Sequence, residues 1–348
     1  MTTRIRERLP LAAFLAGALA TAAVALAQVP PAPVLGNEKD TDGRPLPFGR
    51  APHQPHDTPL GTGKYPAIMA TDDSLPAHVL YYPAKLAGAG KLPVVAWGNG
   101  ACINAGNRFR GFLTEIASHG YFILANGVMA SDNLEVGPQE NPAVRKPGDP
   151  PPAPPSPEAA AANARRAPGT TTAAQLTESL DWAAKENERK GSAFYHRLDL
   201  GKVAVMGQSC GGVQALNVAG DPRIKAMVIW SSGVGMIPNN PPDPAAVLAS
   251  VHAPIAYIYG DAGHDIAYPA STQNVQAIAK VPVFGAWQEG MTHLGTYGQE
   301  NGGFFAKIGV AWLDWQLKGD GRAARMFKGA DCTLCTAPGW HVAKQRID

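Results

Sequence analysis

The pentapeptide Gly207-Gln208-Ser209-Cys210-Gly211 is the part of the sequence whose residue types best suit chemistry. It follows the apolar run 203–206 and leads into a second glycine, Gly212. This order predicts a strand, a sharp turn and a helix, in which the Ser209 hydroxyl is exposed and the glycines let neighbouring backbone approach. The pattern indicates a serine nucleophile. The alternative is a glycine-rich turn without a catalytic role, and the strand before it and the helix after it count against that interpretation.

A serine nucleophile needs a base that takes its proton and a carboxylate that orients the base. His293 follows the last predicted strand and is the predicted base. Two carboxylates, Asp261 and Asp265, follow the strand before it, and local sequence leaves either of them as the acid. His264 is a rival base, but it adjoins the acid in the chain, which makes it difficult for both side chains to serve one serine.

The tetrahedral intermediate of acyl transfer also needs two fixed backbone donors, the oxyanion hole. We expect one of them to be the N–H of Cys210, directly after the nucleophile. The other is expected from the loop 98–102, which follows the predicted strand 92–97, with Asn99 or Gly100 as the donor. The alternative is that this loop is a glycine-rich turn of no catalytic meaning.

Composition argues against several other classes of protein. With 45% hydrophobic residues in 348, the chain can bury a substantial core. The net charge of +2, without a basic run, argues against a nucleic-acid partner. There is no His-Glu-x-x-His pattern, and Cys332-Thr333-Leu334-Cys335 is one pair lacking two further ligands. We therefore expect no metal and no cofactor.

The rest of the chain alternates between apolar runs and helical stretches. Continuous apolar strands separated by helices predict an α/β fold with a largely parallel sheet covered on both faces. The predicted strands are 79–82, 92–97, 121–125, 203–206, 226–230, 255–259 and 281–286, and the predicted helices are 109–118, 173–190, 212–218, 271–279 and 304–317.

The N-terminus has the pattern of an export signal. Arg4, Arg6 and Arg8 precede an apolar run, and small residues stand where a signal peptidase cleaves, which predicts a signal peptide over 1–27. An uncleaved membrane anchor is the alternative. We divide the remainder into a Pro/Gly-rich linker or surface wrap (28–63), a domain (64–330) with a Pro/Ala-rich surface excursion (137–169), and a C-terminal tail (331–348).

From about residue 64 to 330 the chain resembles the secreted cutinase-like branch of the α/β-hydrolases. That branch includes poly(ethylene terephthalate) hydrolases and relatives of platelet-activating-factor acetylhydrolase. The resemblance rests on Tyr81-Tyr82-Pro83, Ala117-Ser118-His119-Gly120-Tyr121, the Gly207 to Gly212 segment, Asp265-Ile266-Ala267-Tyr268-Pro269, His293 and Val310-Ala311-Trp312-Leu313. It implies the α/β-hydrolase fold and a Ser-His-Asp triad. In that branch the acid precedes a proline by four positions, which favours Asp265.

The sequence departs from that branch at two site positions. Its members commonly have an aromatic residue in the oxyanion loop and Met after the nucleophile, where this chain has Asn99 and Cys210. The resemblance therefore implies the fold and the triad more than polyester cleavage. Trp230 falls near the place of a substrate-stacking tryptophan in that branch, and a core position is the alternative.

The same fold makes Cys102 and Cys210 neighbours, because both of their segments supply oxyanion donors. An oxidising compartment permits two bridges among four cysteines, and Cys332 with Cys335 can pair locally. We therefore expect Cys102 to be bonded to Cys210. The alternative is a buried Cys210 and a free Cys102 thiol.

These observations predict a periplasmic or secreted monomer that hydrolyses a small or polymeric carboxylic ester, with no membrane contact after signal cleavage. A peptide or amide hydrolase on the same fold is one alternative. A non-catalytic secreted binding protein is another, and the presence of Ser209, Asp265 and His293 together argues against it.

Overall fold

A single mixed sheet forms the centre of the protein in the computed structural model. The structure describes residues 57–130, 135–136 and 170–348, which belong to one unit. The predicted signal peptide (1–27), most of the predicted linker (28–63) and the whole predicted excursion (137–169) lie outside the described residues.

The sheet has nine strands in the order β1-β2-β4-β3-β5-β6-β7-β8-β9. Six neighbouring strands, from β4 to β8 in this order, are parallel, and the outer strands β1, β2 and β9 pair antiparallel. The strands are β1 (Ala67–Ala70), β2 (His78–Pro83), β3 (Leu92–Gly98), β4 (Phe122–Asn126), β5 (Leu198–Gln208), β6 (Ile224–Trp230), β7 (Ile255–Gly260), β8 (Val283–Gln288) and β9 (Trp340–Gln345). The seven predicted strands are present, and β1 and β9 were not predicted.

Seven α-helices accompany the sheet among the described residues. They are α1 (Arg110–Ser118), α2 (Ala173–Glu188), α3 (Cys210–Asn217), α4 (Pro244–Ser250), α5 (Tyr268–Ala277), α6 (Gly303–Lys318) and the single turn α7 (Thr333–Thr336). The five predicted helices correspond to α1, α2, α3, α5 and α6. The start of α4 is stabilised by a proline at N1 and by the side chain of its N-cap residue, Asp243. The Asp243 carboxylate accepts from the Ala246 N–H at 3.0 Å.

Side chains of the parallel strands alternate between two buried clusters, one on each face of the sheet. On β5, Ala204 and Met206 join the cluster that contains α1 and α6. Val203 and Val205 face the cluster that contains α2 and α3. Because both faces are covered, the buried central parts of these strands are apolar, which is why their sequences contain continuous apolar runs. The predicted α/β architecture with helices on both faces is confirmed.

The two ends of the described chain pack against the sheet or its helices. The Thr62 N–H donates to Glu115 Oε2 of α1 at 2.7 Å, and the Gly63 N–H donates to Ser118 Oγ at 2.9 Å. The predicted C-terminal tail contains the disulfide Cys332–Cys335 and supplies the edge strand β9. No helix among the described residues is both long and apolar enough to cross a membrane.

Candidate active site

Ser209 occupies the turn between β5 and α3, with backbone angles of φ 54° and ψ −122°. A positive φ is unfavourable for serine, so the surrounding structure must hold it. The Ser209 N–H donates to the Trp230 carbonyl at 3.0 Å, and its own carbonyl accepts from the Gly212 N–H at 2.9 Å. These bonds anchor the turn to β6 on one side and to the first turn of α3 on the other.

Close backbone approach explains the two glycines that flank the serine. A Cβ on Gly211 would lie 2.1 Å from the carbonyl of Gly98 at the end of β3. A Cβ on Gly207 would lie 2.2 Å from the Gly211 carbonyl oxygen. The start of α3 is thus in direct backbone contact with the end of β3, which leaves no room for a side chain at either position.

The structure brings the three predicted triad residues together. His293 Nε2 lies 2.8 Å from Ser209 Oγ, and His293 Nδ1 lies 2.7 Å from Asp265 Oδ1. A carboxylate only accepts, so Nδ1 carries the proton and Nε2 is left to accept from the serine hydroxyl. The His293 side chain is 23% exposed and the Asp265 side chain is fully buried. A serine hydroxyl, an imidazole and a carboxylate therefore form one hydrogen-bonded chain, an arrangement that can activate the hydroxyl as a nucleophile.

Asp265 is held as a carboxylate by donors on both oxygens. Oδ2 accepts from the Gly260 N–H at 2.8 Å, and Oδ1 also accepts from the Ala267 N–H at 2.8 Å. Burial alone would raise the pKa of Asp265, but the His293 hydrogen bond and charge, with the two backbone bonds, lower it below the usual range. The group is therefore ionised at neutral pH and accepts a hydrogen bond from the His293 ring.

Asp261 and His264, the alternative acid and base, pair with each other instead. His264 Nδ1 lies 2.7 Å from Asp261 Oδ1, and the other Asp261 oxygen accepts from the Gly290 N–H. Burial raises the pKa of Asp261, and the bonds from Gly290, His264 and Gly263 outweigh it, so the net shift is downward. Asp261 thus connects the loop after β7 to the loop that carries His293.

The loop after β3 forms a short turn, Gly100–Cys102, interrupted by a positive φ at Ala101, and this turn lies beside the start of α3. The Asn99 N–H donates to Asn126 Oδ1 at 3.3 Å, so the prediction of Asn99 as an oxyanion donor is corrected. The Asn99 side chain is buried and bridges the Ala105 carbonyl and the Trp97 indole, both at 2.9 Å. Gly100 is the other residue of this loop that the sequence predicts as a donor.

Cys210 is the first residue of α3, so its N–H has no acceptor within the helix. The Cys210 side chain is disulfide-bonded to Cys102, with the two Cα atoms 5.2 Å apart, as the sequence predicted. Gln214 Nε2 donates to Cys102 Sγ at 3.0 Å, and the Thr171 N–H donates to the Cys102 carbonyl at 2.7 Å. Cys102 has a φ of 47°, a strained value that these contacts hold in place.

Trp230 is not a substrate-facing residue. It is fully buried, and its ring packs 5.0 Å from Phe305 and 5.3 Å from Phe112 between centroids. Gly309 of α6 makes room for it, since a Cβ there would lie 3.3 Å from the indole. The assignment of Trp230 to substrate binding is therefore corrected, and Trp230 is a core residue beneath the site.

Sequence reasoning missed one residue that touches two parts of the site. Gln208, directly before the nucleophile, is 1% exposed, and its Nε2 donates to the His293 carbonyl at 3.1 Å. Its place in the Gly-x-Ser-x-Gly segment was the only signal, because the contact depends on a loop 85 residues later in the chain.

The described residues contain no group of three or more His, Cys, Asp or Glu side chains arranged to hold a metal ion. No protein-family model matches the chain, and no curated protein matches it significantly.

Proposed function

We propose that this protein is a serine hydrolase of the α/β-hydrolase fold that cleaves carboxylic esters through an acyl-enzyme. The observation that carries the proposal is the chain of two hydrogen bonds from Ser209 Oγ to His293 Nε2 and from His293 Nδ1 to Asp265 Oδ1, at 2.8 and 2.7 Å. Nucleophile, base and acid follow the carboxyl ends of β5, β8 and β7, the sheet edge where α/β proteins place their sites.

The proposed chemistry uses groups of this chain and one water molecule. His293 Nε2 takes the Ser209 proton as Oγ attacks the ester carbonyl carbon, and Asp265 stabilises the imidazolium that forms. The N–H groups of Cys210 and Gly100 are the proposed donors to the oxyanion. His293 then gives the proton to the leaving alcohol oxygen. Water repeats the sequence on the acyl-enzyme, which releases the acid and frees Ser209.

A fluorophosphonate probe and an ester panel test this function. We expect the probe to label wild-type enzyme at Ser209 and p-nitrophenyl esters, screened from acetate to palmitate with one polyester film beside them, to be hydrolysed. Ser209→Ala should remain folded, lose labelling and lose about 10⁴-fold or more in turnover. Folded wild-type protein that neither labels nor cleaves any ester would favour a binding protein, and labelling with turnover of amides alone would favour a peptidase.

We further propose that the enzyme works as a monomer in the periplasm or outside the cell. Two disulfides among the described residues are compatible with an oxidising compartment. Fractionation of expressing cells tests it, and oxidised protein found only in the cytosol would contradict it.

A further inference from the structure

The Gln208 amide has a fixed orientation between two segments of the candidate site. Its Nε2 donates to the His293 carbonyl at 3.1 Å. A carbonyl oxygen only accepts, so the NH₂ end of the amide must face His293 and the oxygen end must face away. With 1% of the residue exposed, the side chain has little freedom to turn.

The oxygen end of the same amide lies against the oxyanion loop. A Cβ built on Gly100 would be 1.9 Å from Gln208 Oε1, so the amide fills the space that any side chain at position 100 would need. Gly100 has no positive φ that would itself require glycine. The glycine is therefore needed here for the approach of Gln208.

The side chains of Asp261 and Gln208 both bond to the backbone of the loop that carries His293. Asp261 accepts from the Gly290 N–H where the loop begins, and Gln208 donates to the carbonyl of His293 itself. The Gln208 contact acts on the backbone of His293, whereas Asp265 contacts its ring. It also fixes the distance from the base to Gly100, since one rigid amide touches both.

We propose that Gln208 is a positioning residue that sets His293 against both Ser209 and the Gly100 donor. The inference rests on the proposed esterase function. Small displacements of a base cost rate steeply, with about 10²-fold for a misplacement of 1 Å. Substrate binding does not use the buried Gln208 amide, so its loss lowers kcat and leaves KM nearly unchanged.

The first test replaces the amide with an apolar side chain of similar length, Gln208→Met. We expect kcat per active serine to fall about 10- to 100-fold, with KM within a factor of about three. Titration of Ser209 with a fluorophosphonate counts the active molecules, so a merely structural role would lower the titrated fraction and leave kcat per titrated site intact. Gln276→Met, the same change at an exposed position on α5, is the matched control and should behave as wild type.

The second test approaches the amide from its other side and does not depend on the first variant folding. Gly100→Ala should displace Gln208 and lower kcat to a similar degree. In a Gln208→Ala background the space is already empty, so adding Gly100→Ala should cost little more. If the losses of kcat in Gly100→Ala and Gln208→Ala were fully additive, the inference would be overturned. A Gln208→Met variant with the kcat of an active wild-type enzyme would overturn it too. Wild-type protein without labelling or ester turnover would overturn the proposed function as well.

Discussion

Cys102 is covalently bonded to Cys210, the residue that follows Ser209. The bond joins the loop after β3 to the start of α3, the two segments that carry the proposed oxyanion donors. It connects positions 108 apart in the chain, so it also closes a long loop of the unfolded state. One covalent link thus serves the stability of the fold and the geometry of the proposed site.

Removing this link with Cys102→Ser and Cys210→Ser together should lower both stability and kcat. The chain-entropy model predicts that the free energy of unfolding falls by at most about 4–5 kcal/mol when the bridge is removed. Urea denaturation and ester turnover measure the two effects. The matched control is Cys332→Ser with Cys335→Ser, a bridge over a separation of 3, which should leave kcat unchanged.

The same prediction has a chemical form. Mild reduction of the wild-type enzyme should lower kcat, and chelators should have no effect. Peptide mapping after alkylation tests the disulfide itself. If Cys102 and Cys210 were found as free thiols in enzyme from an oxidising compartment, the Cys102–Cys210 bond would be contradicted.

Asp265→Asn should cost far more activity than Asp261→Asn. An amide at position 265 places a donor against His293 Nδ1 and favours the wrong tautomer, with an expected loss of about 10⁴-fold in kcat. Asp261 contacts His264 and the Gly290 N–H, and the amide oxygen of the variant can still accept from Gly290, so this variant should keep most of the activity. Steady-state kinetics of the two purified variants decides between them, and equal losses would contradict the assignment of the acid.

The seven inner strands could be predicted because burial on both faces makes each of them a continuous apolar run. The edge strands could not. β1 alternates between buried and half-buried residues over four positions, and β9 mixes apolar and polar residues with a single buried one, Trp340. Both pair antiparallel at the ends of the sheet, and nothing in so short a segment separates an edge strand from a loop.

The site divides in the same way. Ser209, Asp265 and His293 follow from chain order and a family spacing, since each of them comes directly after a strand or a few residues beyond it. The roles of Gln208 and Asp261 depend on which loops meet in space, and no local pattern specifies that. Trp230 could not be placed from the sequence either, because a tryptophan at a strand end has the same sequence context whether it faces substrate or the core.

Trp230→Ala should act on stability rather than on substrate binding. The ring is fully buried among Phe112, Phe305 and Tyr297, so its removal leaves a large cavity and an expected loss of about 3–5 kcal/mol. Trp287→Ala, at a half-buried position stacked on His341, should cost less. Thermal unfolding compares the two. If Trp230→Ala had wild-type stability and a raised KM, the core assignment would be contradicted and Trp230 would be a substrate-binding residue.

Acid should destabilise the fold through its paired carboxylates, and Asp265 allows the effect to be isolated. The pKa of Asp265 is lowered in the folded state. The pKa of Asp221 is lowered as well, chiefly by the hydrogen bond that Asp221 accepts from Arg223. A carboxyl whose folded pKa lies below its unfolded value of about 3.9 contributes its full stabilisation above that pH and loses it as pH falls through the folded pKa.

Denaturant midpoints measured from pH 7 to pH 3 should therefore stay level at first and drop below about pH 4. Asp265→Asn removes a carboxyl that takes up a proton more readily in the unfolded state. The variant's midpoint at pH 7 should therefore be lower than that of wild type, and it should decline less steeply over the acid range. Parallel curves for wild type and Asp265→Asn would mean that Asp265 has the same proton affinity in the folded and unfolded chains, which its three donors argue against.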